Sequence, residues 1–351
     1  MKRTAARILP TLRGNSPASL LAGLGIVLAA CMAISMTMGN YPISYEEVGR
    51  VISHHIFSTD GVDAARQQLL SGVLFEIRAP RLIAAALIGA ALSVSGAAYQ
   101  AMFVNPLVSP GILGVLPGAS FGAALGLLVA DSTLGVQVMS FTGGVLAVGL
   151  ALLLARFYDG DKVMMLILGG IISGSLFTSL LSIVKYTADP TDQLPAIVYW
   201  LMGGLSLADM NTVAATAPPV LIGIACILLM SRHLNILSLG DEEAKSLGVN
   251  VRLIRLCLIF LATVVSALTV AVGGLIGWVG LVIPHIGRML VGPNNAILLP
   301  ASALIGAIYL VVVDDVARML LDVEIPLGII TSLVGIPFFS LVLKNTRKGW
   351  N

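Results

Sequence analysis

The sequence has 351 residues, of which 57% are hydrophobic and only 11% are charged, and its mean hydropathy is +0.98. This composition excludes a soluble globular domain, whose surface needs more polar side chains to remain in solution. The formal net charge of +2 gives no indication of nucleic-acid binding.

The chain begins with a basic tail, residues 1–17, which leads into the apolar run Ala18–Met38. A basic segment before an apolar run also begins a secretory signal. This run is longer than the apolar core of a typical signal, and many further apolar runs follow it. It therefore predicts an uncleaved first transmembrane helix.

Ten apolar runs have lengths suited to crossing about 30 Å of hydrocarbon as helices. The sixth contains Pro218 and Pro219, and the eighth is short and interrupted by glycine. A further stretch, Ala196–Leu207, is too short to span, and we expect it to pack at the surface. The predicted spans are Ala18–Met38, Leu82–Phe103, Ile112–Ala130, Leu134–Leu154, Val163–Val184, Val213–Met230, Leu253–Val272, Leu275–Leu290, Ala296–Val313 and Leu327–Leu343.

Lysine and arginine predict the orientation, because positive charge accumulates in cytoplasmic segments. An even number of spans places both termini on one side of the membrane. If that side is the cytoplasm, only six of the 20 basic residues lie outside: Arg50, Arg66, Arg78, Arg81, Lys185 and Arg318. The distribution therefore predicts ten spans with both termini in the cytoplasm.

Glycine recurs every fourth residue in two of the spans, at Gly118, Gly122 and Gly126 and again at Gly170 and Gly174. Small faces of this kind let helices approach closely in lipid. The pattern predicts a compact helical bundle and carries no information about function.

The sequence argues against several functional classes. It has no G-x-x-x-x-G-K-[ST] segment, so the chain is not itself a P-loop ATPase. Few ionisable residues lie deep in the spans, whereas ion-coupled carriers need such residues. A secondary carrier or channel remains the main alternative, and an intramembrane enzyme a second one, although no nucleophile–base pair is evident. Its three cysteines and four histidines show no zinc-binding spacing, so we predict no metal site.

The longest charged inner segment between spans, residues 231–255, has an apolar and a polar side. Gly240 and Gly248 interrupt it. We expect one or two short helices at the cytoplasmic surface with a turn between them. The pattern fits an ordinary solvated loop or a docking element for a cytoplasmic partner.

Arg78 and Arg81 flank Pro80, a residue that favours the first turn of a helix. The helix dipole is positive there, so each cation is unfavourable by about 0.3–1 kcal/mol. Arg318 lies at the outer end of the ninth span. These exceptions to the charge rule require either internal ion pairs or a functional role.

Internal pairing is possible for two of these arginines. Asp314 and Asp322 lie four residues on either side of Arg318, and Glu76 lies close to Arg78 in sequence. This account leaves Arg81 without an evident partner.

Four segments resemble the permease family that imports iron-siderophores, haem and vitamin B12, and they occur in the family's order and spacing. They are RAPRLIAAALIGAALSVSGAAYQAMFVNPLVSPGILGV (Arg78–Val115), SLGDEEAKSLGV (Ser238–Val249), GLVIPHIGRMLVG (Gly280–Gly292) and EIPLGIITSLVGIPFF (Glu324–Phe339). The resemblance covers essentially the whole chain beyond the first helix.

The resemblance implies an all-α permease of the type II ABC importer architecture, with 1–351 as one transmembrane domain of about ten helices. It implies a bacterial or archaeal cytoplasmic membrane, a second permease subunit (a second copy or a paralogue) and two cytoplasmic P-loop ATPases. ATP and Mg would be bound by those ATPases, and this chain would hold no cofactor and no catalytic residue. A periplasmic or lipid-anchored binding protein would deliver the substrate.

The resemblance also implies roles for particular residues. Arg78, Arg81 and Arg318 would dock acidic residues of the binding protein. The cytoplasmic gate would lie at Asp159, Gly160, Asp161, Lys162 and Val163. Within the segment 231–252, the ATPase would be coupled through Leu239, Gly240, Asp241, Glu242, Ala244, Lys245, Leu247 and Gly248.

From these assignments we expect a bulky residue at Ala244 or Gly248 to abolish ATPase association while the bundle stays folded. We expect charge reversal of the three arginines to impair docking without affecting insertion. A ferric siderophore is the first choice of substrate, and haem, cobalamin, molybdate or tungstate remain open.

Overall fold

The computed structural model describes residues 16–39, 41–57, 64–130, 132–157 and 160–346, and every element in these ranges is helical. A π-helical segment, Gly72–Arg78, joins α3 to α4, and a 3-10 turn, Pro110–Leu113, precedes α5. The helices are α1 (Pro17–Thr37), α2 (Tyr45–Phe57), α3 (Ala64–Ser71), α4 (Ala79–Met102), α5 (Val115–Val129), α6 (Thr133–Phe157), α7 (Lys162–Thr187), α8 (Gln193–Leu201), α9 (Met210–Leu229), α10 (Ser231–Leu237), α11 (Asp241–Ser246), α12 (Val251–Gly273), α13 (Val279–Val291), α14 (Asn295–Met319) and α15 (Leu327–Thr346).

Each of the ten predicted spans corresponds to one helix of this list. Among the described residues, seven helical stretches are long and apolar enough to cross a membrane, and α5, α13 and α15 are shorter apolar helices. The all-helical, multi-pass fold predicted from the sequence is therefore confirmed.

Two spans differ from their predicted bounds. Helix α4 begins earlier than predicted, because the π-helical segment continues the helical path back to Arg66. Helix α13 begins at Val279 instead of Leu275, because Gly274 (φ +66°) and Trp278 (φ +67°) take left-handed conformations that a continuous helix excludes.

Helix α4 is the central element of the bundle. Of its most apolar stretch 78% is buried, compared with 6% for α1 at the periphery. A Cβ added to Gly89 would lie 2.1 Å from the carbonyl oxygen of Gly306 on α14, and one added to Gly96 would lie 1.9 Å from that of Gly280 on α13. Helices α4, α13 and α14 therefore pack backbone to backbone.

The glycine repeats have the close-packing role that the sequence predicted. A Cβ on Gly118 would lie 2.3 Å from the carbonyl oxygen of Gly143 on α6, and Gly122 packs against the same helix. The Gly118–Gly122 segment also reads G-x-S-x-G, the spacing of a hydrolase nucleophile turn. It lies inside α5, where the Ser120 hydroxyl donates to the Leu116 carbonyl at 2.8 Å, so the segment is a packing motif.

The short apolar stretch Ala196–Leu207 contributes to α8, a nine-residue helix that is too short to span. Its Ile197 is fully buried in a cluster with Ala124 and Leu181. The stretch then leaves the helix at Gly203, whose carbonyl accepts from Leu327 N at 2.9 Å. The segment is too short to span, as predicted, but it packs into the bundle through Ile197 instead of lying only at the surface.

The bundle has two ends that matter for function. At a rise of about 1.5 Å per residue, the 25-residue helix α14 is roughly 37 Å long. Its first residue, Asn295, contacts Asn235 of α10 at what we call the coupling end. Its Arg318 contacts Met38, just after α1, at what we call the arginine end.

Candidate docking surfaces and translocation groove

At the arginine end, two arginines converge on one buried carboxylate. Arg81 Nε donates to Asp314 at 2.9 Å, and Arg318 Nε donates to the same carboxylate at 3.1 Å. The Asp314 side chain has no exposed surface. Arg81 also pairs with Glu324 at 2.7 Å, and Arg318 pairs with Asp315. These bonds fasten α4 to α14 and to the segment before α15.

The third arginine, Arg78, binds the last turn of α1 and the segment that follows it. Arg78 donates to the carbonyl oxygen of Met36 at 2.6 Å and to that of Tyr41. A Cβ on Gly39 (φ +148°) would lie 2.9 Å from the Arg78 guanidinium, so the chain passes closely over the network here. The arginines thereby hold α1 to the bundle.

The internal-pairing account of the arginines explains more than the sequence suggested. Arg81, expected to lack a partner, has two, Asp314 and Glu324. Arg318 pairs with Asp314 as considered, but its second partner is Asp315 and not Asp322.

All three arginines are buried, with exposed fractions of 5% for Arg78, 6% for Arg81 and 9% for Arg318. A reversed charge at Arg81 or Arg318 would place carboxylates together in a buried site. The expectation that these reversals leave membrane insertion and ATPase assembly largely intact therefore conflicts with the geometry. Docking by these residues remains a prediction.

At the coupling end, the predicted short helices are present as α10 and α11. Leu239 and Leu247 are exposed, at 62% and 61%, and Glu242, Lys245 and Gly248 are exposed as well. Exposed leucines beside charged residues form a surface suited to a protein partner. The sequence assigned this surface without being able to say which side chains point outward.

Two of the assigned coupling residues have other roles. The turn between the helices lies at Gly240 (φ +119°), whereas Gly248 (φ +78°) follows α11. Ala244 is fully buried in the main apolar cluster with Leu234 and Leu237. A bulky residue at Ala244 would disturb the bundle itself, so the expectation that the bundle stays folded conflicts with the burial of this side chain.

An ion pair joins the coupling segment to the bundle. Arg255 on α12 binds Asp241 with both terminal nitrogens, at 2.6 and 3.0 Å, and Arg255 is 6% exposed. The hydrogen bond from Arg255 holds the pKa of Asp241 below its usual range, and the positive charge of Lys162 acts in the same direction. The sequence offered no local signal for this pair, because its members are 14 residues apart.

The predicted gate loop contributes to the electrostatics of this ion pair, because the positive charge of Lys162 helps to lower the pKa of Asp241. Asp161 caps α7 by accepting from Met164 N at 2.8 Å, and Val163 packs against the main apolar cluster. Gly160 is exposed with φ +154°. Asp159 lies outside the described residues. Gating by this loop stays a prediction.

An open groove of about 760 Å³ runs between α5, α7 and α15, and a recess of about 550 Å³ adjoins it at Pro117 and Thr178. Hydroxyl groups such as those of Ser120, Ser175 and Ser332 alternate with glycine and aliphatic side chains along the walls. No ionisable side chain of the described residues lines either cavity. The sequence analysis had named no residues for such a path.

A multi-pass helical bundle with an open, uncharged groove and a surface segment of two short helices defines a membrane permease. The chain belongs to the FecCD transport family, whose pattern it matches over residues 27–345. Membership makes it the permease subunit of an ABC importer, a class that works with an ATPase and a substrate-binding partner.

The relatives have different substrates by name. The chain is 38% identical over 335 residues to the molybdate import system permease protein MolB of Haemophilus influenzae, which covers 95% of this chain and 98% of that one. It is 36% identical over 327 residues to a probable iron chelatin transport permease of Helicobacter pylori, and the match covers 92% of this chain and 98% of that protein. It is 33% identical over 345 residues to the hemin transport system permease protein HmuU of Yersinia pestis, and the match covers 96% of this chain and 99% of that protein.

The fold also matches a solved structure, described as an inward-facing conformation of a metal-chelate type ABC transporter. The TM-score is 0.83 at 37% sequence identity, over 93% of this chain and 99% of the other. Sequence and fold thus agree on the class, while the names of the relatives leave several substrates open.

Proposed function

We propose that this chain, paired with a second copy of itself, imports a metal chelate, with a ferric siderophore as the first candidate. The observation that carries the proposal is the groove of about 760 Å³ without ionisable lining residues. Such a wall cannot bind a bare ion strongly, but it lets a bulky complex pass once a binding protein has delivered it. An ion-driven carrier would need titratable groups in this position.

The partner arrangement is part of the same proposal. The exposed leucines Leu239 and Leu247 would contact a cytoplasmic ATPase, two copies of which would bind ATP and Mg and drive alternating access. Both termini would then be cytoplasmic. The arginine end would face outward and receive a periplasmic or lipid-anchored binding protein.

The present ion pairs constrain how that docking would occur. Glu324, whose side chain is 38% exposed, is the most accessible member of the network. An acidic residue of the binding protein would have to exchange with Glu324 at Arg81, or open the network, before it could pair with a guanidinium.

Molybdate is a second candidate, favoured by the 38% identity to MolB over nearly its full length. Reconstitution of the permease with its ATPase and binding protein would separate the two. We expect ATP-dependent uptake of radiolabelled iron as a ferric siderophore, and little uptake of radiolabelled molybdate. If the vesicles took up molybdate in preference to the ferric siderophore, molybdate would replace the metal chelate as the proposed substrate.

The same vesicles test the class of mechanism. Uptake should stop when ATP or the binding protein is omitted. Uptake driven by a proton or sodium gradient without the ATPase would contradict the proposal as a whole.

A further inference from the structure

Two separate polar contacts hold the coupling segment to α12 and α14, in addition to a long hydrogen bond of 3.5 Å from the Ser238 hydroxyl to the Ala101 carbonyl oxygen in α4. The first is the ion pair between Asp241, the first residue of α11, and Arg255 in α12. Both terminal nitrogens of the guanidinium are used, and this bidentate geometry fixes orientation as well as distance. Because Arg255 is almost fully buried, α11 cannot rotate about α12 without breaking the pair.

The second contact joins α10 to the beginning of α14. The Asn235 amide donates to Asn294 Oδ1 at 2.9 Å and accepts from Asn295 N at 2.8 Å. Asn294 in turn caps α14 by accepting from Ala296 N at 3.1 Å. The Asn235 side chain therefore uses both its donor and its acceptor on one helix terminus.

Apolar packing fills the space between these two contacts. Leu234, Leu237 and Ala244 are fully buried and face the bundle, whereas Leu239 and Leu247 face away from it. The segment consequently has one side for a partner and one side fixed to α12 and α14. Movement imposed on the outer side has to reach both helices together.

We propose that Asn235, Asp241 and Arg255 are positioning residues that transmit ATPase movement to α12 and α14. The inference rests on the proposed function, because it needs the outer side of the segment to be the ATPase contact. Bulk apolar packing alone would let α10 and α11 slide. The directional bonds make the segment move with the two helices as one body.

The test uses the assembled complex of permease, ATPase and binding protein in vesicles. Asn235→Ala removes the contact with α14, and Asp241→Asn weakens the ion pair with Arg255. Matched controls are His233→Ala on α10 and Glu243→Gln on α11, both at exposed positions. We expect the two contact variants to transport about fivefold less substrate per ATP hydrolysed, or worse. The controls should transport as the wild type does.

Folding defects are separated from coupling defects by a double variant. Asp241→Asn with Arg255→Gln removes both charges, so no uncompensated charge stays buried. It should fold and assemble, and still transport less substrate per ATP. Unchanged transport per ATP in Asn235→Ala and in the double variant would overturn the inference. So would loss of ATPase association in these variants, which would make the residues part of the contact itself.

Failure of the proposed function gives a different result. Leu239→Glu and Leu247→Glu should weaken copurification of the ATPase with the permease. If both variants leave copurification unchanged, the outer side of the segment is not the ATPase contact. The proposed function of the segment is then wrong, whatever the result for Asn235, Asp241 and Arg255.

Discussion

Asp314 is the residue on which the arginine end depends, because its single carboxylate accepts from Arg81 and Arg318 and has no exposed surface. Each guanidinium has one further carboxylate partner, Glu324 for Arg81 and Asp315 for Arg318, and Asp314 is the carboxylate that joins the two arginines. The three arginines that the sequence suggests as a docking site therefore also have a structural role. A substitution of any of them would affect folding as well as binding.

We expect Asp314→Asn to destabilise the permease by about 3–5 kcal/mol, since the three buried arginines are then left with only Glu324 and Asp315 as carboxylate partners among the described residues. The measurement is thermal unfolding of the detergent-solubilised protein, together with its level in the membrane. Asp322→Asn is the matched control, because Asp322 is exposed and forms no ion pair within the described ranges. Equal stability of the two variants would show that the network contributes nothing to folding.

At the scale of elements, the closest approach of helices is set by glycines. The α4–α14 contact at Gly89 and Gly306 leaves no room for a side chain on either helix. The same feature makes α4 and α14 a stiff pair that joins the coupling end to the arginine end.

Gly89→Val should force this pair apart and cost about 1–3 kcal/mol or more, because the added atoms meet backbone and not a movable side chain. Unfolding in detergent and the yield of assembled complex measure the effect. Gly149→Val in α6 is the control, since nothing lies within 4 Å of an added Cβ there. If Gly149→Val lost as much stability as Gly89→Val, the β-branched valine itself, and not the α4–α14 contact, would be responsible for the destabilisation.

For the molecule as a whole, the distribution of lysine and arginine predicts which segments face the cytoplasm. A reporter fused after Asn351, or inserted in 231–248, should report the cytoplasm, and one inserted in 54–63 should report the outer side. Reporter enzymes active on only one side of the membrane make the measurement. A cytoplasmic signal from 54–63 would contradict the ten-span arrangement and the proposed direction of transport.

Local patterns predicted much of this molecule. Hydropathy located the ten apolar helices that correspond to the predicted spans, and the spacing of Gly118 and Gly122 predicted close packing, because both signals lie within one helix. The pairs Arg81–Glu324 and Arg81–Asp314 join residues 243 and 233 positions apart, and no local pattern encodes such distances. The burial of Ala244 could likewise not be predicted, since a six-residue helix is too short for its hydrophobic periodicity to show which face is buried.

The arginine network has a consequence for biosynthesis. The acceptors of Arg78, on Met36 and Tyr41, have already been synthesised when Arg78 emerges. Asp314 follows Arg81 by 233 residues, a delay of roughly 10–50 s at about 5–20 residues per second. During this interval Arg81 has to stay among water and lipid headgroups at the membrane surface. A nascent chain arrested before α14 therefore carries an unneutralised cation at the end of its most buried helix.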